Sequence, residues 1–139
     1  MIIQTIDWQD TLPIRHQVLW PNKPEIFCQI EEDKDALHYG AFFDNELKCV
    51  ASLYIKTTND ITRVRLRNLA TLPVFQNKGV GHSLLRHMMK DLQALYMDFL
   101  WCDVKASDAA FFTKLGFSQK GEAFYVFDEK FIKLQIKLS

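Results

Sequence analysis

The chain has 139 residues, of which 48% are hydrophobic and 24% charged, and its 17 Lys+Arg balance 17 Asp+Glu. These values fit one soluble globular domain spanning 1–139 with a sizeable core. The cancelling charges give no reason to expect nucleic acid or a membrane surface as a partner.

Met1 to Asp7 shows no basic stretch followed by an apolar run, so no signal peptide is expected. Ile2–Ile6 reads as a first strand. Asp10 or Thr11 can cap a helix with Pro13 in its first turn, where proline is tolerated, and Pro21 and Pro24 stop it. Glu25 to Asp35 is an acidic loop or short helix, read as solvated surface and not as a carboxylate site. Leu37–Phe43 and Lys48–Thr57 form a hairpin around Asp44-Asn45-Glu46, and Asn59-Asp60 makes the next turn.

From Arg63 the pattern alternates: Val64, Leu66 and Ala70 can face one side, and Arg63, Arg65 and Arg67 the other. Pro73 ends this strand because it has no N–H for a ladder. Gly79-Val80-Gly81 then opens a helical period at Val80, Leu84, Leu85, Met88, Met89, Leu92 and Leu95. Asp98–Val104 reads as a buried strand, and Ser107 or Asp108 caps a short helix to Lys114, with Leu115-Gly116 as its exit. Phe117–Phe127 and Phe131–Leu138 make a final antiparallel pair around Asp128-Glu129-Lys130. Cys28, Cys49 and Cys102 are far apart with no C-x-x-C, which points to reduced thiols in a cytoplasm. His16, His38, His82 and His87 have no metal-ligand spacing, so no metal is expected.

A strand, a glycine-containing turn and a helix suit phosphate binding, because the first amides of a helix lack intrahelical partners and carry partial positive charge. The P-loop pattern is absent: Lys78 precedes Gly79. The dinucleotide pattern fails as well, because Leu84 stands where a third glycine belongs.

What remains, Gln76-Asn77-Lys78-Gly79-Val80-Gly81, resembles the coenzyme A pyrophosphate loop of the GNAT superfamily of acyl-CoA-dependent N-acyltransferases. Ala110-Phe111-Phe112-Thr113-Lys114-Leu115-Gly116-Phe117 resembles that family's Phe-Tyr-x-Lys-Leu-Gly-Phe segment. Arg15-His-Gln-Val-Leu-Trp-Pro21, His38-Tyr39-Gly40-Ala41 and Trp101-Cys102-Asp103-Val104-Lys105 are similar to motifs of one of its subgroups, so the resemblance covers nearly the whole chain.

The resemblance implies an α+β, three-layer fold. Its sheet would be mixed but mostly antiparallel, of about six to seven strands, flanked by helices and splayed between the fourth and fifth strands. It implies acetyl-CoA as cosubstrate and direct acetyl transfer to a primary amine of an unidentified small molecule or peptide. A catalytically silent acyl-CoA-binding or regulatory module of the same fold is the alternative. The cofactor-binding residues it implies are Leu69, Ala70 and Thr71 on the strand, Gln76, Asn77, Lys78, Gly79, Val80, Gly81, His82 and Ser83 at the loop, and Phe112.

Phe112 stands where many family members use a tyrosine as general acid, and it has no hydroxyl. Three readings stay open: the thiolate leaves without a dedicated acid, another donor (Tyr125, Tyr54, Tyr39 or Cys102) reaches it, or the fold binds without transferring. The family's Gly-x-Pro-His stretch is replaced by Phe127-Asp-Glu-Lys130, which leaves His38 and Glu122 as candidate bases. A homodimer through an edge strand at the carboxyl end is compatible with the sequence.

Overall fold

The computed structural model describes all residues, 1–139. Eight strands form one sheet in the order β1-β2-β3-β4-β5-β8-β6, with β7 also paired to β8. In chain order these are β1 (Ile2–Ile6), β2 (Leu37–Phe43), β3 (Glu46–Thr58), β4 (Ile61–Thr71), β5 (Phe99–Lys105), β6 (Ser118–Gln119), β7 (Phe124–Val126) and β8 (Glu129–Lys137). Every pairing is antiparallel except β4 with β5. The helices are α1 (Trp8–Leu19), α2 (Val80–Ala94) and α3 (Ala109–Thr113). No helix is long and apolar enough to cross a membrane.

Three tight turns share one chemistry. Asp44-Asn45, Asn59-Asp60 and Phe127-Asp128 each hold two consecutive residues at positive φ, the geometry whose twist suits two-residue hairpins. Asn and Asp tolerate that region best among residues with a side chain. The last turn lies one residue earlier than the sequence pattern suggests, on Phe127, and Phe127 is fully exposed there.

Helix α2 buries Val80, Leu84, Leu85, Met88 and Leu92 against the sheet, whereas Leu95, expected on the same face, ends the helix and is half exposed. The main core joins that face to Leu53, Val64, Leu66, Leu100 and Leu134. On the opposite face of the sheet a smaller cluster packs Ile14 of α1 on Val50 and Ala70.

Three sequence expectations are corrected here. Helix α1 starts a turn early, with Asp7 at its N-cap position and no side-chain capping bond, so Pro13 lies inside it and Asp10 and Thr11 are not caps; the Thr11 hydroxyl instead donates to the Trp8 carbonyl at 2.6 Å. Ala70 does not share a face with Val64 and Leu66. The β3–β4 register slips between Val50 and Ser52, and Asn68 takes φ 58°, so one extra residue reverses the alternation. Finally, the last strand, β8, is not an edge: it runs between β5 on one side and β6 and β7 on the other, so the sheet's edge in this region belongs to the short strands β6 and β7.

Candidate active site

Strands β4 and β5 are partners only from Arg63↔Phe99 to Arg65↔Trp101. Past that point β4 continues to Thr71 and β5 to Lys105 without pairing each other. The fork between them is a cleft of about 900 Å³. Leu66, Arg67, Asn68, Leu69, Ala70 and Thr71 line one wall, and Cys102, Asp103, Val104 and Lys105 the other. Its far end is closed by Gln76, Asn77, Gly79, Val80, Gly81 and His82 and by Phe111, Phe112 and Lys114.

The loop after β4 is shaped by residues that accept unusual backbone angles. Asn77 has φ 59° and Gly79 φ 80°. Gly79 caps α2 with no side-chain hydrogen bond, and no acid sits in the first turn. The first amides of α2 are therefore free for an anion. A Cβ on Gly79 would meet nothing within 4 Å, whereas one on Gly81 would lie 3.0 Å from Phe111 Cζ. The first glycine thus leaves room above the helix start, and the second lets α3 approach α2. His82 reinforces that approach: its Nε2–H donates to the Phe111 carbonyl at 2.8 Å. The Gln76 amide donates to the Thr71 carbonyl at 2.9 Å and ties the loop back to the strand.

Most of the cofactor-binding residues expected from the sequence therefore lie in one cleft. Lys78 and Ser83 are not among those lining it. Phe112 lines it while 7% exposed, with its ring edge-on to Phe111 and Phe117; it contributes an apolar wall.

None of the expected catalytic side chains lines the cleft. Tyr125 is 67% exposed on β7, and Glu122 is exposed in the loop before it. His38 is buried beneath α1, with both ring nitrogens engaged: Nε2–H donates to the Asp33 carbonyl at 2.7 Å, and Nδ1 lies 2.7 Å from the Ser52 hydroxyl. Burial holds its pKa below the usual 6.5, and the Arg15 charge adds to the effect. A neutral imidazole with both nitrogens occupied has no lone pair to offer an amine.

The partner of this histidine is a centre the sequence reading missed. Arg15 and Asp33 are fully buried and paired twice, at 2.8 and 3.0 Å. Arg15 also donates to the Ser52 hydroxyl and the Cys28 carbonyl. Asp33 further accepts from the Ile30 amide and from the Tyr54 hydroxyl. Burial would raise the Asp33 pKa, but these hydrogen bonds together outweigh it and hold the carboxyl below its ordinary value. The acidic run 31–35 thus hides one structural acid, and the only signal for it was a helix arginine with no acid nearby in sequence.

Of the alternative proton donors, Tyr54 is committed to Asp33, with burial pushing its pKa up to about 12. Tyr39 donates to Asp91 of α2 at 2.7 Å, and burial raises it further. Cys102 alone lines the cleft; burial and the neighbouring Asp103 charge push its thiol up to about 12.

Four buried polar side-chain atoms have no hydrogen-bond partner, and three of them, Arg65 Nε, Asn68 Nδ2 and Asp103 Oδ1, belong to residues flanking the fork. No group of three or more His, Cys, Asp or Glu side chains could hold a metal ion.

The pattern of the Acetyltransferase (GNAT) family matches residues 3–117. YitI, an uncharacterized N-acetyltransferase of Bacillus subtilis (strain 168), is 30% identical over 127 residues, which are 88% of this chain and 85% of that one. The [ribosomal protein bS18]-alanine N-acetyltransferase of Salmonella typhimurium is 39% identical over 57 residues, 39% of this chain and 38% of that one. An aminoglycoside 6'-N-acetyltransferase complexed with coenzyme A superposes with a TM-score of 0.81 at 13% identity, covering 100% of this chain and 98% of that one.

Proposed function

Because this chain belongs to the GNAT family of acetyltransferases, we propose that it moves an acetyl group from acetyl-CoA directly to a primary amine of a small molecule or peptide. The observation that carries this reading is the fork itself: a stretch of β4, paired with β3 but free on its β5 side, that leads into a helix start with no side-chain cap and no acid in its first turn.

Free amides at the start of α2, the room above Gly79 and the cation of Lys114 fit a pyrophosphate-bearing group. Main-chain groups of Leu69, Ala70 and Thr71 would pair with the amides of a pantetheine arm as an added strand. Bound there, acetyl-CoA supplies an activated acyl thioester. The chain's own part is to orient the two reactants, which reduces the entropic share of the barrier. Leu66, Phe75, Phe111 and Phe112 supply the apolar part of the cleft's lining.

Phe112 has no proton to give. Cys102 holds its proton more tightly than an ordinary thiolate would take it, since an unperturbed thiol titrates near ~8.5. The departing thiolate therefore leaves as the anion or takes a proton from solvent. General acid help typically adds only about 10²–10⁴-fold, a factor this site forgoes. Asp103, with one oxygen unpartnered at the cleft, is the acceptor for an incoming N–H. The protein is read as a single domain over 1–139, working in the cytoplasm with no metal and with neither nucleic acid nor membrane as partner.

Calorimetric titration with acetyl-CoA and with CoA, alongside Gly81→Glu, tests the reading. Binding by the wild type that is lost in the variant is expected, followed by CoA release with a subset of an amine panel. Binding without turnover across the panel would favour a silent acyl-CoA module, which Phe112 makes the specific rival. No binding by the wild type would sink both.

A further inference from the structure

On the α1 face, α1 packs over β2, β3 and β4, while a groove of about 610 Å³ opens across β3, β4, β5 and β8. Lys56, Arg63, Arg65, Lys120 and Lys133 line it, against Glu32 as its only acid. In a chain whose charges cancel overall, this is a local concentration of positive charge.

The register shows how it is built. Lys56 lies opposite Arg63, Arg63 beside Phe99, Arg65 beside Trp101, and Asp103 opposite Lys133. Like charges directly opposite on a sheet are unfavourable, so the fold's own stability does not call for Lys56 against Arg63. Four of the five cations lie over aromatic rings, and only Arg65 among them also meets an acid, Asp103. Arg65 lies 4.7 Å and Lys133 4.5 Å from the Trp101 centroid, and Arg63 lies 5.2 Å from that of Phe99. Arg63, Lys56, Lys120 and Lys133 take part in none of the chain's salt bridges.

The groove and the cleft meet at the fork. Arg65 and Trp101 line the groove, and the next residues on the same face of each strand, Arg67 and Asp103, line the cleft. Asp103 stands between the two, with Oδ2 at 3.4 Å from Arg65 and Oδ1 buried without a partner.

We propose that the groove is the acceptor site and selects a small primary amine whose other end carries carboxylate or phosphate. Its amine N–H meets Asp103, and its anionic end lies among Arg63, Lys120 and Lys133. A polyamine or other cationic acceptor would instead bring like charges together. This inference rests on the acetyltransferase reading, and the groove's volume falls in the range of small-molecule pockets.

The test uses the full chain saturated with CoA, so that nothing reacts. γ-Aminobutyrate, L-glutamate and O-phosphoethanolamine are titrated against putrescine and tyramine, by calorimetry and by Trp101 fluorescence with Trp101→Phe as the blank. At least one of the three anionic amines is expected to bind, more weakly as salt rises, while putrescine and tyramine do not. Carboxylate against phosphate ranks the anion. The double variant Arg63→Ala/Lys133→Ala should bind the anionic amine at least tenfold more weakly while its CoA affinity stays at the wild-type value. Lys133→Glu alone should act in the same direction, should the double variant fail to fold. The inference is overturned if putrescine binds as well as the anionic amines, if none of the three binds to protein that holds CoA normally, or if the variants leave binding unchanged. Loss of CoA binding by the wild type would instead strike at the acetyltransferase reading.

Discussion

Replacing Asp33 with alanine tests the structural centre beneath α1. The change strips Arg15, whose side chain is fully buried, of both of its carboxylate contacts. It also removes the acceptor for the Ile30 amide and the Tyr54 hydroxyl. Breaking a buried pair by deleting one partner costs about 3–5 kcal/mol, because the remaining charge stays uncompensated. At roughly 2–4 °C per kcal/mol for a chain approaching 150 residues, the melting temperature should fall by about 6–20 °C. Urea denaturation of Asp33→Ala, Arg15→Met and the combination Arg15→Met/Asp33→Leu reads the effect. Each single change should be costly, and the apolar pair should recover a good part of the loss, since a well-packed apolar replacement is often close to neutral. A loss below ~1 kcal/mol for Asp33→Ala, the scale of an exposed ion pair, would refute the reasoning and mean that water reaches Arg15.

Acid should act on the same centre in two stages. His38 has a folded pKa below its ordinary 6.5, so its contribution is complete above that pH and is lost as pH falls beneath it. Asp33 has a folded pKa below its ordinary 3.8, so its contribution is lost only below about pH 4; a melting temperature flat from pH 7 down to 3 would contradict both signs. Gly79→Ala places a side chain at φ 80° and should cost about 1 kcal/mol of stability; because its Cβ has open space within 4 Å, any larger fall should appear in acetyl-CoA affinity, read by calorimetry. All three cysteines are buried and their thiols pushed up chiefly by burial, so a thiol reagent at pH 8 should label the folded protein far more slowly than the urea-unfolded chain; rapid stoichiometric labelling would show that the core around Cys49 and Cys102 opens.

Much of the fold could be read from local chemistry. The Asp44-Asn45 and Asn59-Asp60 turns follow from residues that tolerate positive φ, and α2 follows from its apolar period. The sequence also shows the loop proposed to hold the cofactor's phosphates, because a strand, a pair of glycines and a helix lie consecutively. The Arg15–Asp33 centre is different. Its members are 18 residues apart, and nothing local separates Asp33 from the exposed acids beside it. His38, Tyr125 and Glu122 lie away from the cleft for a related reason: residue type fits them for acid–base work, but only tertiary packing decides which side chains reach it. Alternation misled at Ala70 because a period of two cannot show an inserted residue.

That insertion accounts for the character of both faces of β4. With strict alternation from Val64 and Leu66, Asn68 and Ala70 would both point into the main core under α2. The bulge at Asn68 ends that run: Leu69 packs against the main core, and Ala70 joins Ile14 and Val50 under α1. Before the bulge, Arg63, Arg65 and Arg67 stay on the α1 face, where Arg63 and Arg65 form the basic groove. After it, the same face carries the small Ala70 that lets α1 pack. Asn68 itself is left lining the cleft with its amide nitrogen unpartnered. Buried polar atoms without partners are rare in folded proteins, and here they gather where the strand changes face. One extra residue in β4 therefore separates the stretch that seats α1 from the stretch that displays charge, and it leaves a hydrogen-bond donor unspent at the fork.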